Sequence, residues 1–258
     1  MKNLKQRIKA GETVNGCWLN LGSPLTAEIV GLAGFDWVLI DLEHGAGGET
    51  DIAAQLQALQ HTPTTPIVRV ESAASQRIHR VLDMGAQGIM CPKVNNAAEA
   101  QTVASGMHYP PHGTRGVAKM VRATAFGRDF ADYYRDAREN LLGVIQIETI
   151  EALSHLDEIA ALDGVDVLFI GPADLTMELG IFGQFDHPKF LEAVHAIVKA
   201  ANNANKATGI LFFNPDDYQK YHNLGIRMIA CGADATFVAD SARTMAAKLQ
   251  SARDVPQS

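Results

Sequence analysis

The chain has 258 residues, 47% of them apolar, and a formal net charge of −7. That length is ample for one large core, and an acidic chain with scattered Lys and Arg is poorly suited to nucleic acid or an anionic membrane as its main partner. No apolar run approaches the roughly 18 residues of a membrane span, and MKNLKQRIKAGE lacks the apolar stretch of a secretory signal.

Cys17, Cys91 and Cys231 are few, odd in number and set inside apolar runs. They read as core thiols of a reducing compartment, so a globular cytoplasmic protein is expected. Short β-rich runs then alternate with longer helical segments. The predicted strands are NGCWLN (15–20), WVLIDL (37–42), PIVRVE (66–71), GIMCPKV (88–94), LLGVIQIE (141–148), VDVLFIG (165–171), ATGILFF (207–213) and IRMIACG (226–232). Helical segments such as AAQLQALQH, ASQRIHRVLDMG, AAEAQTVASGM, IEALSHLDEIAAL and FLEAVHAIVKAANNAN lie between them, several closed by Gly or Asn. Eight strand–helix units predict an α/β fold, a (β/α)₈ TIM barrel, over a single domain of residues 1–258. A doubly wound open sheet is the alternative. The long insert 108–140 reads as a connection covering a site or an interface.

In such barrels the catalytic groups sit at the C-terminal strand ends. Strand 2, WVLIDLEHG, ends in Asp41, Glu43 and His44, and strand 3 carries Arg69 between two valines. Asp83 lies on the helix after strand 3, and Lys93 closes strand 4. Gln146 and Glu148 are two apart and therefore share one face of strand 5, while strand 6 runs through GPAD to Asp174. Strands 7 and 8 add Asn214 and Asp234. Two carboxylates at neighbouring strand ends repel unless a cation lies between them, so Glu148 and Asp174 suit Mg²⁺ or Mn²⁺. The alternative is an ion pair, or a helix cap at Asp174.

Arg69 on an inward face needs an anion, either substrate or a structural partner such as Glu71 or Glu43. His44 is a candidate base or a plain loop histidine. Lys93 is a candidate Schiff-base lysine or a solvated one. His108 and His112 have ligand-like spacing, but Pro110 and Pro111 between them exclude the helix it requires. Trp18, Phe212 and Phe213 read as barrel core or pocket wall, and Trp18 and Leu211 are placed on the substrate side. Metal carboxylates, an arginine and a histidine together suit proton abstraction beside a carbonyl, the chemistry of an aldol reaction.

The runs GFDWVLIDLEHG, PIVRV, YPPHGTRG, VIQIET and FIGPADLTMELG resemble the HpcH/HpaI family of class II, metal-dependent pyruvate aldolases, from about residue 15 to 248. The resemblance implies His44 as the proton-transferring base and Asp83 as the group raising its basicity. It implies Arg69 as stabiliser of an enolate, Glu148 and Asp174 as metal ligands, and Asp41 as holder of a water near the metal. Gln146 would touch the substrate, and the main chain of Ala173 and Asp174 would bind its carboxylate. The family further implies Mg²⁺ or Mn²⁺ with Co²⁺ or Zn²⁺ as alternatives, a 2-oxo acid and an aldehyde as partners, and a homo-hexamer whose subunits exchange the last helix. Leu42 stands where members have glycine in DGEH. Oxaloacetate decarboxylation is an expected side activity. A citramalyl- or malyl-CoA lyase, a lysine aldolase and a non-catalytic dicarboxylate-binding barrel are the other readings. The ends FFNPDD and CGADATF offer no glycine-rich amides, so an aldehyde without phosphate is expected.

Overall fold

A computed structural model of the chain describes residues 3–253. Eight strands form a closed, wholly parallel barrel: β1 (Val14–Leu19), β2 (Trp37–Asp41), β3 (Thr65–Arg69), β4 (Gly88–Cys91), β5 (Leu142–Ile147), β6 (Val167–Ile170), β7 (Ala207–Phe212) and β8 (Met228–Ala233), with β8 returning to β1. Every predicted run overlaps its strand, and five contain it whole; β1 and β3 begin one residue before their runs, and β8 ends one residue after its run. Seven of the strands stop short of their predicted C-terminal ends, where the chain turns into the loops of the mouth. Arg69 is the last residue of β3, Glu148 lies one past β5, and β4 stops at Cys91, two residues before Lys93 takes φ 50°.

Alternation sorts the strands into two layers. Trp18, Trp37, Leu39, Ile67, Met90, Val144, Phe169 and Ala230 fill the barrel, while Val38, Val68, Ile89, Ile145, Leu168, Ile210 and Ile229 pack outward beneath the helices. Inside, Trp18 meets Trp37 at 5.9 Å and Phe169 at 5.5 Å between ring centroids. Glycine makes room for these rings: a Cβ on Gly16 would lie 2.4 Å from the Trp37 ring, and one on Gly209 would lie 2.4 Å from that of Phe169.

The N-terminal end of the barrel is stoppered by a helix that the pattern of residues did not suggest, Leu4–Lys9, whose Leu4 and Ile8 join the inner cluster. The insert 108–140 is not one long connection. It holds a 3₁₀ turn, Arg122–Thr124, and a helix, Phe130–Asn140. Helix Asp234–Arg253 closes the described chain. Only Asp234 of it is buried, and Phe237, Val238, Met245 and Leu249 are exposed.

Candidate active site

At the C-terminal mouth, β2 and β3 lie in register with Asp41 beside Arg69, both side chains directed into the barrel. Asp41 is buried and accepts from Arg69 at both oxygens, 2.8 Å from Nε and 2.7 Å from Nη2. The same carboxylate accepts from the Asn20 amide (2.8 Å) and from the main-chain N–H of Glu43 (3.0 Å) and His44 (3.4 Å). It therefore folds the turn that follows it, and the turn is tight: a Cβ on Gly45 would sit 2.1 Å from the Asp41 carbonyl oxygen. That is why charge ends this strand. Asp41 shapes the loop and fixes an arginine, with no oxygen left aside for one partner alone.

Glu43 Oε2 lies 2.9 Å from Arg69 Nη1, an ion-pair contact off the hydrogen-bond direction. Of the two partners suggested for Arg69, Glu43 is correct and Glu71 is not. Glu71 pairs with Arg77 at 2.8 Å. The guanidinium also stands 5.9 Å from the Trp18 ring centroid. His44 is exposed at the rim, with Nε2 3.8 Å from Glu43 Oε1.

Across the mouth, Gln146 and Glu148 share the inward face of the β5 end, and both are buried. Glu148 Oε1 accepts from the main-chain N–H of Lys93 at 2.8 Å. Burial pushes its carboxyl up to about 7. The Lys93 N–H and Arg69 oppose that rise, while Asp174 and Glu43 add to it. Asp174 is the third residue of helix Pro172–Glu178, whose N-cap is Gly171, so it does not cap that helix. It and Ala173 are exposed in the first turn.

Gly171 marks where these groups converge. A Cβ there would lie 2.2 Å from Glu148 Oε2 and 2.8 Å from Gln146 Nε2. Gln146 Oε1 and Trp18 Nε1 are buried and meet no hydrogen-bond partner. Asp41, Glu43 and Glu148 thus act on one buried guanidinium, and Asp174 acts on Glu148, leaving a surplus of negative charge that a cation would neutralise. The donor set is oxygen only, which suits a hard divalent ion. Among the described residues no three His, Cys, Asp or Glu side chains form a full ligand cluster. Two carboxylates would leave the other positions to water and substrate oxygens.

Within one chain Asp83 is engaged by an arginine of the insert. It accepts from Arg115 Nη2 at 2.8 Å, and that fully buried guanidinium also donates to the Tyr133 hydroxyl (3.0 Å) and lies over the Tyr109 ring (4.8 Å). Asp83 therefore ties the insert to helix Ser75–Asp83. Lys93 serves through its main chain, and its side chain is exposed. Leu211 is half-buried on the inner layer near Trp18, whereas Phe212 packs outward and Phe213 is exposed. Asp234, the polar residue closing strand 8, is buried and accepts from Asn20 N (2.7 Å) and the Thr26 hydroxyl (2.8 Å), holding the loop after β1. Reading the sequence assigned no role to Asn20 or Gly171, and it offered Arg115 only as a cation for the phosphates of an acyl-CoA. Gly171 lies in the run FIGPADLTMELG and Arg115 in YPPHGTRG, so both stood in stretches that carry the resemblance.

The model of the HpcH/HpaI aldolase/citrate lyase family matches residues 15–241. A hydroxypyruvate/pyruvate aldolase of Agrobacterium fabrum is 42% identical over 95% of this chain and 92% of its own length. A 4-hydroxy-2-oxo-heptane-1,7-dioate aldolase of Salmonella arizonae is 40% identical over 96% and 95%. Among solved structures, an HpcH/HpaI aldolase/citrate lyase family protein of Burkholderia cenocepacia superposes with a TM-score of 0.91 at 35% identity, covering 96% of this chain and 98% of that one.

Proposed function

The chain belongs to the HpcH/HpaI aldolase/citrate lyase family and is a carbon–carbon lyase of the class II aldolase type, and we propose that it cleaves 4-hydroxy-2-oxo acids reversibly to pyruvate and an aldehyde. The observation that carries this reading is the convergence over Gly171. The Glu148 carboxylate and the Gln146 amide pack together against Gly171, and the amide oxygen of Gln146 and the indole N–H of Trp18 are buried there without partners.

In this reading Glu148 and Asp174 hold a divalent cation, Mg²⁺ or Mn²⁺ by the hardness of the donors, and its chemistry is Lewis-acid stabilisation of negative charge on the keto oxygen. The protein's own groups do the rest. Arg69, braced by Asp41, turns its remaining N–H groups to the same oxygen as it gains charge, in surroundings where such a contact is worth most. Gln146 hydrogen-bonds the substrate, and the first-turn N–H groups of Ala173 and Asp174, which have no intrahelical acceptor, receive its carboxylate. Trp18 and Leu211 wall the pocket. His44 at the rim takes the proton from the 4-hydroxyl in cleavage and returns one to the methylene carbon, with Glu43 as its neighbouring carboxylate. Asp41 acts as the brace for Arg69 and the loop, not as a free acceptor.

Oxaloacetate decarboxylation follows from the same contacts, since loss of its distal carboxylate leaves the same pyruvate enolate. The aldehyde carries no phosphate at the strand 7 and 8 ends. We further propose a cytoplasmic homo-hexamer in which the exposed helix Asp234–Arg253 is exchanged between subunits. Its uncovered apolar side chains and the free thiols Cys17, Cys91 and Cys231 support that setting. An acyl-CoA lyase would draw a basic cleft from the insert, but its arginines are engaged. Arg115 is buried on Asp83, Arg122 donates to the carbonyl oxygens of Met84 and Leu56, and Arg128 pairs with Asp129.

The test is pyruvate release from a panel of 4-hydroxy-2-oxo acids, with and without chelator. Release that chelator abolishes and added Mg²⁺ or Mn²⁺ restores is the expected result. Release that survives chelation and is trapped by borohydride would overturn the reading.

A further inference from the structure

At the opposite end of the barrel, around the starts of β5 to β8, a second cavity of about 460 Å³ opens. Five cationic side chains line it: Lys5, Lys9, Arg138, Lys206 and Arg227. Its carboxylates are three: Glu139, Asp163 and Asp166. In a chain of net charge −7 this local excess of positive charge runs against the whole.

The pairing within the cavity is unequal. Lys5 Nζ sits 3.0 Å from Asp166, Arg138 pairs with Asp163, and Lys9 reaches Glu139 at 3.9 Å. Lys206 and Arg227 are left over. Lys206 Nζ donates to the Leu162 carbonyl oxygen (3.1 Å), and Arg227 Nη1 donates to those of His222 and Ile226 (3.0 Å each). Among the described residues neither forms an ion pair at contact distance, although Asp166 and Asp163 lie within electrostatic reach of Lys206. The two are neighbours by topology, since Lys206 precedes β7, Arg227 precedes β8, and Arg227 N donates to Thr208 O across the pair. Burial pushes the Lys206 ammonium down; Asp166 and Asp163 oppose that shift, and Lys9 and Lys5 add to it. His108 lines the same cavity, is buried, and has an Nδ1 with no hydrogen-bond partner.

We infer that this cavity is a binding site for a small organic dianion, a phosphate monoester or a dicarboxylate, held by Lys206 and Arg227 with His108 Nδ1 as a further contact. Five cations against three carboxylates leave an excess of two positive charges, and Lys206 and Arg227 are the two without an ion pair, which calls for two negative charges. The guanidinium fork suits either oxyanion, and the ammonium serves as a point charge. The volume lies within the range of small-molecule sites and exceeds what a bare inorganic ion needs. The site is separate from the mouth, so its occupant need not resemble substrate or product.

Calorimetric titration of the chelator-treated protein with glycerol 3-phosphate, succinate and inorganic phosphate, at matched ionic strength, tests this. Saturable binding of at least one organic dianion, one per chain, is expected, and it should weaken with added salt. Lys206→Gln and Arg227→Gln should each weaken it by about tenfold or more, the loss of one charge-assisted hydrogen bond. Arg69→Ala, at the mouth, should leave it unchanged. Preference for glycerol 3-phosphate or for succinate identifies which oxyanion is taken. Should Arg227→Gln fail to fold, Lys206→Gln carries the test, because its side chain holds a single carbonyl. No saturable binding up to about 10 mM, or binding that Arg69→Ala removes and Lys206→Gln spares, would overturn the inference.

Discussion

Two buried cations, one at each end of the barrel, each lie against an aspartate, and they differ in what remains unused. Lys5 in the N-terminal stopper has three N–H donors and three acceptors: Asp166 (3.0 Å), the Arg138 carbonyl (3.0 Å) and the Leu141 carbonyl (2.9 Å). It is saturated, and nothing further can bind to it. Arg69 at the mouth has five N–H donors, two of them on Asp41 and one beside Glu43. It keeps donors for a ligand, next to an amide oxygen and an indole N–H that also lack partners. Burial of an ion pair alone therefore says little about function. Unused donor capacity beside orphaned polar atoms separates a site from a strut.

The sharpest way to break this contrast is at Arg69. Arg69→Ala should lower kcat for aldol cleavage by about 10²–10³, the usual effect of removing one donor to a developing oxyanion. Metal-dependent oxaloacetate decarboxylation should fall in parallel. Arg69→Lys should restore only part, because a point charge cannot span both Asp41 oxygens and still reach substrate. Decarboxylation persisting at the wild-type rate in Arg69→Ala, with cleavage lost, would move Arg69 to the aldehyde side.

Lys5→Met should do the reverse. Removing one partner of a buried pair strands Asp166, at a typical cost of about 3–5 kcal/mol. Urea unfolding would show that loss as a lowered midpoint, while kcat and KM of the folded fraction stay at wild-type values. A change in kcat without a change in midpoint would mean that the stopper communicates with the mouth.

These two residues also show what the sequence could and could not convey. The barrel was legible because each strand is a nearly continuous apolar run bounded by turn residues. Arg69, Gln146 and Glu148 were legible because the period of two sets them inward, where a charge needs a reason. Lys5 was not. In MKNLKQRIKAGE it looks like any solvated lysine, and only closure of the barrel above it creates the carbonyl cage. The partner of Asp83 was hidden for the same reason, because Arg115 comes from the insert 32 residues away. Asp174 was correctly placed at the strand 6 end, but its role as a cap depended on where the helix starts. Pro172 at the first helical position and Gly171 as the N-cap settle that.

Gly171→Ala is a smaller perturbation of the same mouth. The added methyl would meet Glu148 Oε2 at 2.2 Å, and the carboxylate cannot retreat without giving up the Lys93 N–H. Displacing a metal-binding carboxylate in this way should weaken metal affinity and activity by about 10–100-fold, comparable to losing an outer-shell partner. Titration of Mn²⁺ binding would read this directly. Wild-type affinity in Gly171→Ala would show that Glu148 Oε2 is not a metal ligand.

The smallest expected effect is at Lys93, and it discriminates most cleanly between chemistries. Its contribution is the main-chain N–H that holds Glu148 Oε1, offered from a left-handed backbone with φ 50°, and its ammonium is exposed. Glycine adopts that conformation without the steric cost that a Cβ incurs, about 1 kcal/mol or somewhat more. Glycine also loses more chain entropy on folding, about 0.4–1 kcal/mol, so the two effects nearly cancel. Lys93→Gly should therefore keep its stability, its Glu148 hydrogen bond and its metal affinity, with kcat within about twofold of wild type. Lys93→Val keeps an N–H, but a β-branched residue at positive φ is strained, so the loop should shift and carry Glu148 with it. Activity ordered wild type ≈ Lys93→Gly > Lys93→Val would assign this position to backbone geometry. Inactivity of Lys93→Gly with metal affinity intact would instead return the ammonium to the chemistry.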